Sequence, residues 1–180
     1  MKLMFASDIH GSKPCCEKLL IRYMEEGPEK LVLLGDILYH GPRNPLPEGY
    51  NPEKVSGLLN LVKDNAICVR GNCDCEVDQM VLEFPILAEY ASVFVDGGVM
   101  YLTHGHKYNI DNPLPMRPHD ILIYGHTHVP MVEETENGIF INTGSVSIPK
   151  EDSKNCYMIY EDGEFIWKDL DGKEFKRWSV

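Results

Sequence analysis

Leu3-Met4-Phe5-Ala6-Ser7-Asp8-Ile9-His10 is an apolar run that ends on a carboxylate and an imidazole. The pattern recurs along the chain. Leu31 to Leu34 leads into Gly35-Asp36, Ala66 to Val69 into Arg70-Gly71-Asn72, Val99 to Leu102 into His104-Gly105-His106, and Ile121 to Tyr124 into His126-Thr127-His128. Short apolar runs closed by Gly, Asp or Asn read as buried strands. On extended backbone, residues i and i+2 point the same way, so each pair is expected to aim two ligand atoms into one crevice beyond the sheet. Imidazole, carboxylate and amide oxygen without thiolate suit manganese, iron, zinc or nickel. So many donors point to two ions rather than one.

Between these strand ends the first half of the chain alternates. A strand at 2–7 is followed by a helix at 14–26, with Ser12 as its N-cap and Gly27-Pro28 as its stop. A strand at 31–35 precedes the Pro- and Gly-rich loop from His40 to Pro52, then a helix at 53–64 and a strand at 66–70. This βαβαβ order predicts parallel strands with crossover helices, and continuous apolar strands predict cover on both faces. The second half reads as mostly antiparallel. Strands at 92–96 and 99–103 flank Asp96-Gly97-Gly98, and others fall at 121–125, 139–142, 156–160 and 164–168, the last two joined by Glu161-Asp162-Gly163. Residues 76–83 are ambiguous. Two sheets packed face to face with outer helices satisfy both halves. No repeat or linker divides residues 1–180, which are expected to form one domain.

The 180 residues, 43% hydrophobic and 25% charged, have the composition of an ordinary globular protein. A net charge of −11 argues against nucleic acid and anionic membranes as partners. It is compatible with a phosphate substrate, because bound divalent ions reverse the local field. No apolar stretch approaches the roughly 18–20 residues that cross a bilayer, and the N-terminus starts as a strand without a signal-peptide layout. A cytoplasmic location is expected. The cysteines at 15, 16, 68, 73, 75 and 156 lack C-x-x-C spacing, so reduced thiols are expected there.

The order D-x-H, G-D, G-N, H, G-H-x-H over residues 8–128 resembles the calcineurin-like metallophosphoesterase superfamily. His40-Gly41-Pro42-Arg43-Asn44, Gly71-Asn72-Cys73-Asp74, Asn142-Thr143-Gly144-Ser145 and Ser147-Ile148-Pro149-Lys150 resemble its YfcE-type phosphodiesterase branch. The resemblance implies a four-layer α-β-β-α sandwich with two packed mixed sheets. It implies one ion on Asp8, His10 and His128, a second on Asn72, His104 and His126, and Asp36 bridging them. Manganese is the expected metal, with nickel, cobalt, iron or zinc able to substitute. Ions held about 3.5–4 Å apart by a shared carboxylate acidify a water and clamp phosphate oxygens during in-line attack. The implied activity is hydrolysis of a small phosphodiester, with Asn72, His104 and His106 in the catalytic group. Two alternatives stay open on the same residues: a phosphomonoesterase or nucleotidase, and a non-catalytic scaffold like the retromer vacuolar-sorting subunit.

Read singly, Asp8 and Asp36 are caps or turn formers; their company makes them ligands. His106 reads as second-sphere or phosphate-facing, as a ligand, or as structural. The chain lacks the Arg that follows G-D in protein Ser/Thr phosphatases, and Arg43 and Asn44 are expected to contact substrate instead. Cys73 stands where many relatives carry a His after G-N, and reads as a substrate contact, a spectator or a weak acid. Gly144-Ser145 could cradle an anion or simply turn the chain. Tyr157, Ile159, Phe165 and Trp167 exceed what one core is expected to absorb, which predicts a homo-oligomer, dimer or tetramer.

Overall fold

In chain order the structure, a computed structural model that describes residues 1–95 and 97–180, begins with β1 (Lys2–Ala6), α1 (Lys13–Glu26) and β2 (Lys30–Leu33). It continues through α2 (Pro52–Asn60), a 3-10 turn (Lys63–Asn65), β3 (Ala66–Cys68) and α3 (Glu76–Gln79). Then come β4 (Tyr90–Val95), β5 (Gly98–Thr103), β6 (Ile121–Tyr124), β7 (Met131–Thr135) and β8 (Gly138–Asn142). The last strands are β9 (Cys156–Glu161), β10 (Glu164–Asp169) and β11 (Glu174–Ser179).

These make two mixed sheets. The first runs β11-β10-β9-β1-β2-β3, with β1, β2 and β3 parallel as expected and β9 antiparallel to β1. The second runs β4-β5-β6-β8-β7 and is parallel through β5, β6 and β8. Phe5, Val32, Leu34 and Trp167 of the first sheet meet Met100, Leu102, Ile123 and Ile141 of the second in a buried layer. On the outer face of the first sheet, Met4, Ala6, Leu31 and Leu33 pack under Leu19 and Tyr23 of α1 and Val55 and Leu59 of α2. Each fully buried Leu or Phe contributes about 1.5–3 kcal/mol of transfer free energy. The outer face of the second sheet, Leu122, Tyr124 and Phe140, is covered by Tyr108, Ile110 and Met116 from an irregular segment rather than by a helix.

Several local expectations need correction. Ser12 sits at the N-cap position of α1, but its hydroxyl donates to the Glu48 carbonyl at 3.0 Å instead of capping the helix. The helix expected over 53–64 ends at Asn60, and the ambiguous 76–83 stretch holds a single helical turn. Strands β7 and β11 escaped sequence reading because, as polar edge strands, they bury little. The Asp96-Gly97-Gly98 turn includes Asp96, which lies outside the described residues. Tyr157, Ile159, Phe165 and Trp167 are fully buried within one chain, so these side chains give no reason for association.

Candidate active site

The strands of the two sheets end together, and the expected residues follow them. The pleat does not aim these side chains, because β1 ends at Ala6 and β6 at Tyr124. Instead Asp8 (φ 58°), His10 (φ 48°), Asp36 (φ 55°), His126 (φ 64°) and His128 (φ 66°) all take the left-handed conformation. Such positions cost on the order of 1–3 kcal/mol each for non-glycine residues and persist where surrounding structure enforces them. Here the Asp8 N–H donates to the Gly35 carbonyl at 3.1 Å and the His10 N–H to the Asp36 carbonyl at 2.9 Å. The Ser145 and Ser147 hydroxyls both donate to the Asp8 carbonyl at 3.0 Å. Gly144-Ser145 is therefore a turn that props the Asp8 loop. Its Gly144 N–H is already given to Asn142 Oδ1 at 2.8 Å.

Two glycines are required by close approach. A Cβ on Gly71 would lie 2.1 Å from Asp36 Oδ1, and one on Gly125 would lie 1.9 Å from Ser7 Oγ and 2.7 Å from Asp8 Oδ2. The G-N and G-H-x-H spacings thus record how tightly the loops converge.

The side chains meet at the crevice floor. His128 Nε2 lies 3.1 Å and His10 Nε2 3.5 Å from Asp8 Oδ1, while His10 Nε2 and His104 Nε2 lie 3.8 and 3.4 Å from Asp36 Oδ2. His104 Nε2 is 3.1 Å from Asn72 Oδ1 and 3.2 Å from His126 Nδ1. Asp8, His10 and His128 form one compact donor group, and Asp8, Asp36 and His104 another. Asp36 Oδ2 faces both His10 and His104, and Oδ1 is fixed by the Cys73 N–H at 2.8 Å.

Backbone carbonyls fix the tautomers. The Nδ1–H groups of His10, His104 and His128 donate to the carbonyls of Tyr39 (2.8 Å), Leu34 (2.7 Å) and Ile148 (2.5 Å). Each Nε2 is then a lone pair turned toward the carboxylates. Asp8 Oδ1 and His10 Nε2 are buried without a hydrogen-bond partner. Buried acceptors facing acceptors are costly, and a cation between them removes the conflict. The donor set fits divalent metal. With protons in place of an ion, burial lowers the affinity of His104 for a proton, but Asp36 and Asp8 outweigh it and raise its pKa to about 9. Burial raises and the His10 and His128 imidazoles lower the Asp8 carboxyl, which ends well below its ordinary value.

Asp74 is a residue to which sequence reading assigned no role. Its buried carboxylate accepts from the backbone N–H groups of Gly71 (2.7 Å), Asp36 (2.8 Å) and Ile37 (2.9 Å). Burial and the neighbouring Asp36 raise its pKa to about 6, against the pull of those three donors. It ties the loop after β2 to the loop after β3. An acidic residue three positions after Gly71, in a strand-end loop, was the available signal.

The crevice above the floor encloses about 830 Å³, and its wall includes Arg43, Asn44 and Cys73. The Asn44 amide donates to the His40 carbonyl at 2.9 Å and so also shapes its own loop. Arg70 and Lys150 line the same crevice, two cations that sequence reading passed over. They supply positive charge where the phosphatase-type Arg is missing. His106 is half-buried with its ring 5.4 Å from that of His104, outside both donor groups, and its Nδ1 has no partner. It lines a small recess with Arg70, Asn72 and Lys107. Burial, then the His104 and His126 rings, lowers its pKa to about 4. All six cysteines are free.

The calcineurin-like phosphoesterase superfamily domain matches residues 1–163. Phosphodiesterase YfcE of Escherichia coli K12 is 51% identical over 157 residues, spanning 87% of this chain and 85% of that protein. The solved structure of YfcE, described as a phosphoesterase from E. coli, superposes with a TM-score of 0.96 at 45% identity, covering 100% of both chains. Vacuolar protein sorting 29 from Cryptosporidium parvum superposes with a TM-score of 0.62 at 17% identity over 99% of this chain and 98% of that one. At that identity the likeness is one of fold alone.

Proposed function

This chain belongs to the calcineurin-like phosphoesterase superfamily, and from that premise we propose that it is a metal-dependent phosphodiesterase acting on small diesters at the crevice just described. Asp8, His10 and His128 would hold one divalent cation, Asn72, His104 and His126 a second, with Asp36 shared between them. Manganese is the metal favoured by a mixed nitrogen and oxygen set with no thiolate, nickel, cobalt, iron or zinc being substitutes. Such ions supply Lewis acidity, which neutralises phosphoryl oxygens and acidifies water. The protein's part is to hold the three Nε2 lone pairs and two carboxylates in fixed positions, so that little reorganisation remains at reaction. Arg43, Arg70 and Lys150 bring positive charge to the phosphate, and Asn44 fixes the loop that presents Arg43. His106 lies beside His104 and Asn72, within reach of an ester oxygen seated over that side of the floor.

The observation that carries this reading is the pair of buried orphans, Asp8 Oδ1 and His10 Nε2, in a floor where carboxylates face imidazole lone pairs. The test is to strip the protein with chelator, restore single metals, and compare aryl diesters with aryl monoesters. Turnover of the diester restored best by manganese supports the reading; full turnover without metal, or a preference for the monoester, overturns it.

Three further parts belong to the same proposal. Residues 1–180 act as one domain, because β9 to β11 complete the sheet that carries Asp8 and His10. A cytoplasmic enzyme is in keeping with free thiols and with the absence, among the described residues, of any helix long and apolar enough to cross a membrane. A homo-oligomer is supported by β4, an edge strand paired to β5 on one side, where Tyr90 and Phe94 are 50% and 80% exposed. Light scattering that returned the 20.5 kDa monomer at micromolar concentration would count against association.

A further inference from the structure

A second concavity opens from the side of the crevice and shares Tyr39, Cys73 and Cys75 with it. It encloses about 430 Å³, enough for a mono- or bicyclic ring system. Its walls are apolar: Tyr39 and Tyr50 on one side, Pro52 on α2, and Val77 and Val81 around α3. The aromatic wall is held in place by edge-on stacking, with the His40 ring 4.8 Å from Tyr39 and 5.3 Å from Tyr50. The groove begins at the metal-type donors themselves, because the sulfur of the shared Cys73 belongs to a compact group with His10 and Asp36.

Charge narrows what this groove can hold. Its charged residues are Glu53 and Asp78, with no Lys or Arg in the wall. The recess beside Asn72, by contrast, is polar and of mixed charge: Arg70, Lys107 and His106 line it together with Glu89, which pairs with Lys107. A phosphate seated at the donors thus has unlike surroundings for its two ester arms, one apolar and unfavourable to anions, the other polar.

We propose that the substrate is an unsymmetrical phosphodiester with an uncharged apolar ester group, aromatic or long alkyl, that lies in the groove between Tyr39, Tyr50, Val77 and Val81. The proposal rests on the reading of the floor as a phosphodiesterase centre and specifies its substrate class. The phosphoryl group sits at the donors, the apolar arm extends past Cys73 toward α3, and the smaller or more polar arm faces His106 and Arg70.

The test uses non-hydrolysable probes with a single variable arm joined to phosphorus through carbon, so that the arm under study is unambiguous. Methylphosphinates carrying methyl, butyl, phenyl, 2-naphthyl or carboxymethyl groups on a P–C bond are titrated calorimetrically into manganese-loaded protein. Affinity should rise at least about tenfold from methyl to 2-naphthyl, as expected for burying an aromatic side chain, and the carboxymethyl phosphinate should bind more weakly than the butyl. In Val81→Asp the naphthyl-to-methyl ratio should fall about tenfold, whereas Met24→Asp, on the exposed face of α1, should keep it. Equal affinity across the series overturns the proposal, as does a ratio unchanged in Val81→Asp. A Val81→Asp variant that keeps the ratio but loses mass in light scattering would make the groove an interface between copies, which also overturns it. Failure of the underlying reading is separable: the loaded enzyme would then hydrolyse no diester at all.

Discussion

His128 Nε2 stands 3.1 Å from Asp8 Oδ1, and both atoms are acceptors, because His128 has already given its Nδ1 proton to the Ile148 carbonyl. Such a pair is favourable only with a cation on it, a proton where metal is absent. A divalent ion that replaces the proton meets two buried carboxylates and three imidazole nitrogens already in place, so metal binding stabilises the fold. Binding to the native state alone adds about 2.7 kcal/mol at a hundredfold excess over Kd. At this chain length that is about 5–10 °C in Tm. Chelator should lower Tm by that amount and manganese should restore it, with turnover following in parallel. Differential scanning calorimetry with and without metal checks this, and a Tm indifferent to manganese would remove the argument.

Among the described residues Asp36 is the only carboxylate with an ion-pair contact to both His10 and His104, at 3.8 and 3.4 Å. Asp36→Asn should lower activity at least about a hundredfold and reduce bound metal from about two per chain. His119→Ala, on an exposed turn, should do neither. Folding should survive, since removing one carboxylate relieves repulsion with Asp8. An Asp36→Asn protein with full metal content and near-normal rate would refute the shared position.

Asp74 touches none of the donors directly and acts through backbone. Its three N–H contacts hold Gly71, Asp36 and Ile37 in one arrangement. An amide in its place can still accept but brings an N–H₂ group toward three N–H donors. Asp74→Asn should weaken manganese affinity about 10- to 100-fold, as outer-sphere changes do, while saturating metal recovers most of kcat. Rescue by metal separates positioning from simple unfolding. A variant equally inactive at every metal concentration would speak for loss of structure instead.

The floor was legible in the sequence because its residues sit at fixed offsets from apolar runs, and the parallel strands β1, β2 and β3 bring those offsets to one edge. What aims the side chains was not legible. Left-handed φ at Asp8 depends on a carbonyl and hydroxyls contributed by Gly35, Ser145 and Ser147, and at His126 on the Asp8 carboxylate that accepts its N–H at 3.0 Å, all far away in the chain. Edge strand β11 carries no apolar period, because the register shift at Trp167/Lys168 leaves its two packed residues, Phe175 and Trp178, three apart. Arg70 and Lys150 looked like ordinary surface cations until the loops placed them on the crevice wall. The core strands Tyr157 to Trp167 misled in the other direction: their apolar excess is absorbed between the two sheets, a depth that composition alone does not reveal.

At the far end of α1, Glu26 accepts from Lys168 at 2.6 Å, from the Tyr157 hydroxyl at 3.1 Å and from Lys2 at 3.2 Å, joining the helix to β10, β9 and β1. Burial raises its carboxyl, but Lys168, Lys2 and Tyr157 together hold it below the usual Glu range. A lowered folded pKa gives stability that is fully present above the unfolded value of about 4.3 and is lost as pH falls through the folded value. Glu26→Gln should therefore cost about 1 kcal/mol at pH 7, a value reduced for partial solvent screening. The difference should shrink as pH falls below about 4. Urea midpoints of the two proteins across this range decide it. A gap that stayed constant into acid would mean that packing, and not charge, is what Glu26 contributes.

The identity of the proton donor to the leaving group turns on Cys73 and His106, which flank the floor on opposite sides. Burial, then Asp36, raises the Cys73 thiol above its ordinary range, so it stays protonated at neutral pH. Sulfur is nevertheless a weak hydrogen-bond donor, and protonation of a departing oxygen by Cys73 should be inefficient. General acid catalysis is worth on the order of 10²–10⁴-fold where it operates, and its absence shows as a steep fall of rate with leaving-group pKa. Wild type should show that steep fall across substituted phenyl diesters, and Cys73→Ala should leave it nearly unchanged. Cys73→His should flatten it where the imidazole reaches the ester oxygen. His106 is the other candidate, an imidazole with a free Nδ1 beside Asn72, but burial and the His104 and His126 rings hold its pKa low, so it must first take up a proton that the bound phosphate would have to stabilise. A steeper dependence in His106→Ala, with metal content intact, would identify it as the donor. Log rate against leaving-group pKa in the four proteins is the measurement, and a shallow wild-type slope that survives both alanine substitutions would exclude both residues from the role.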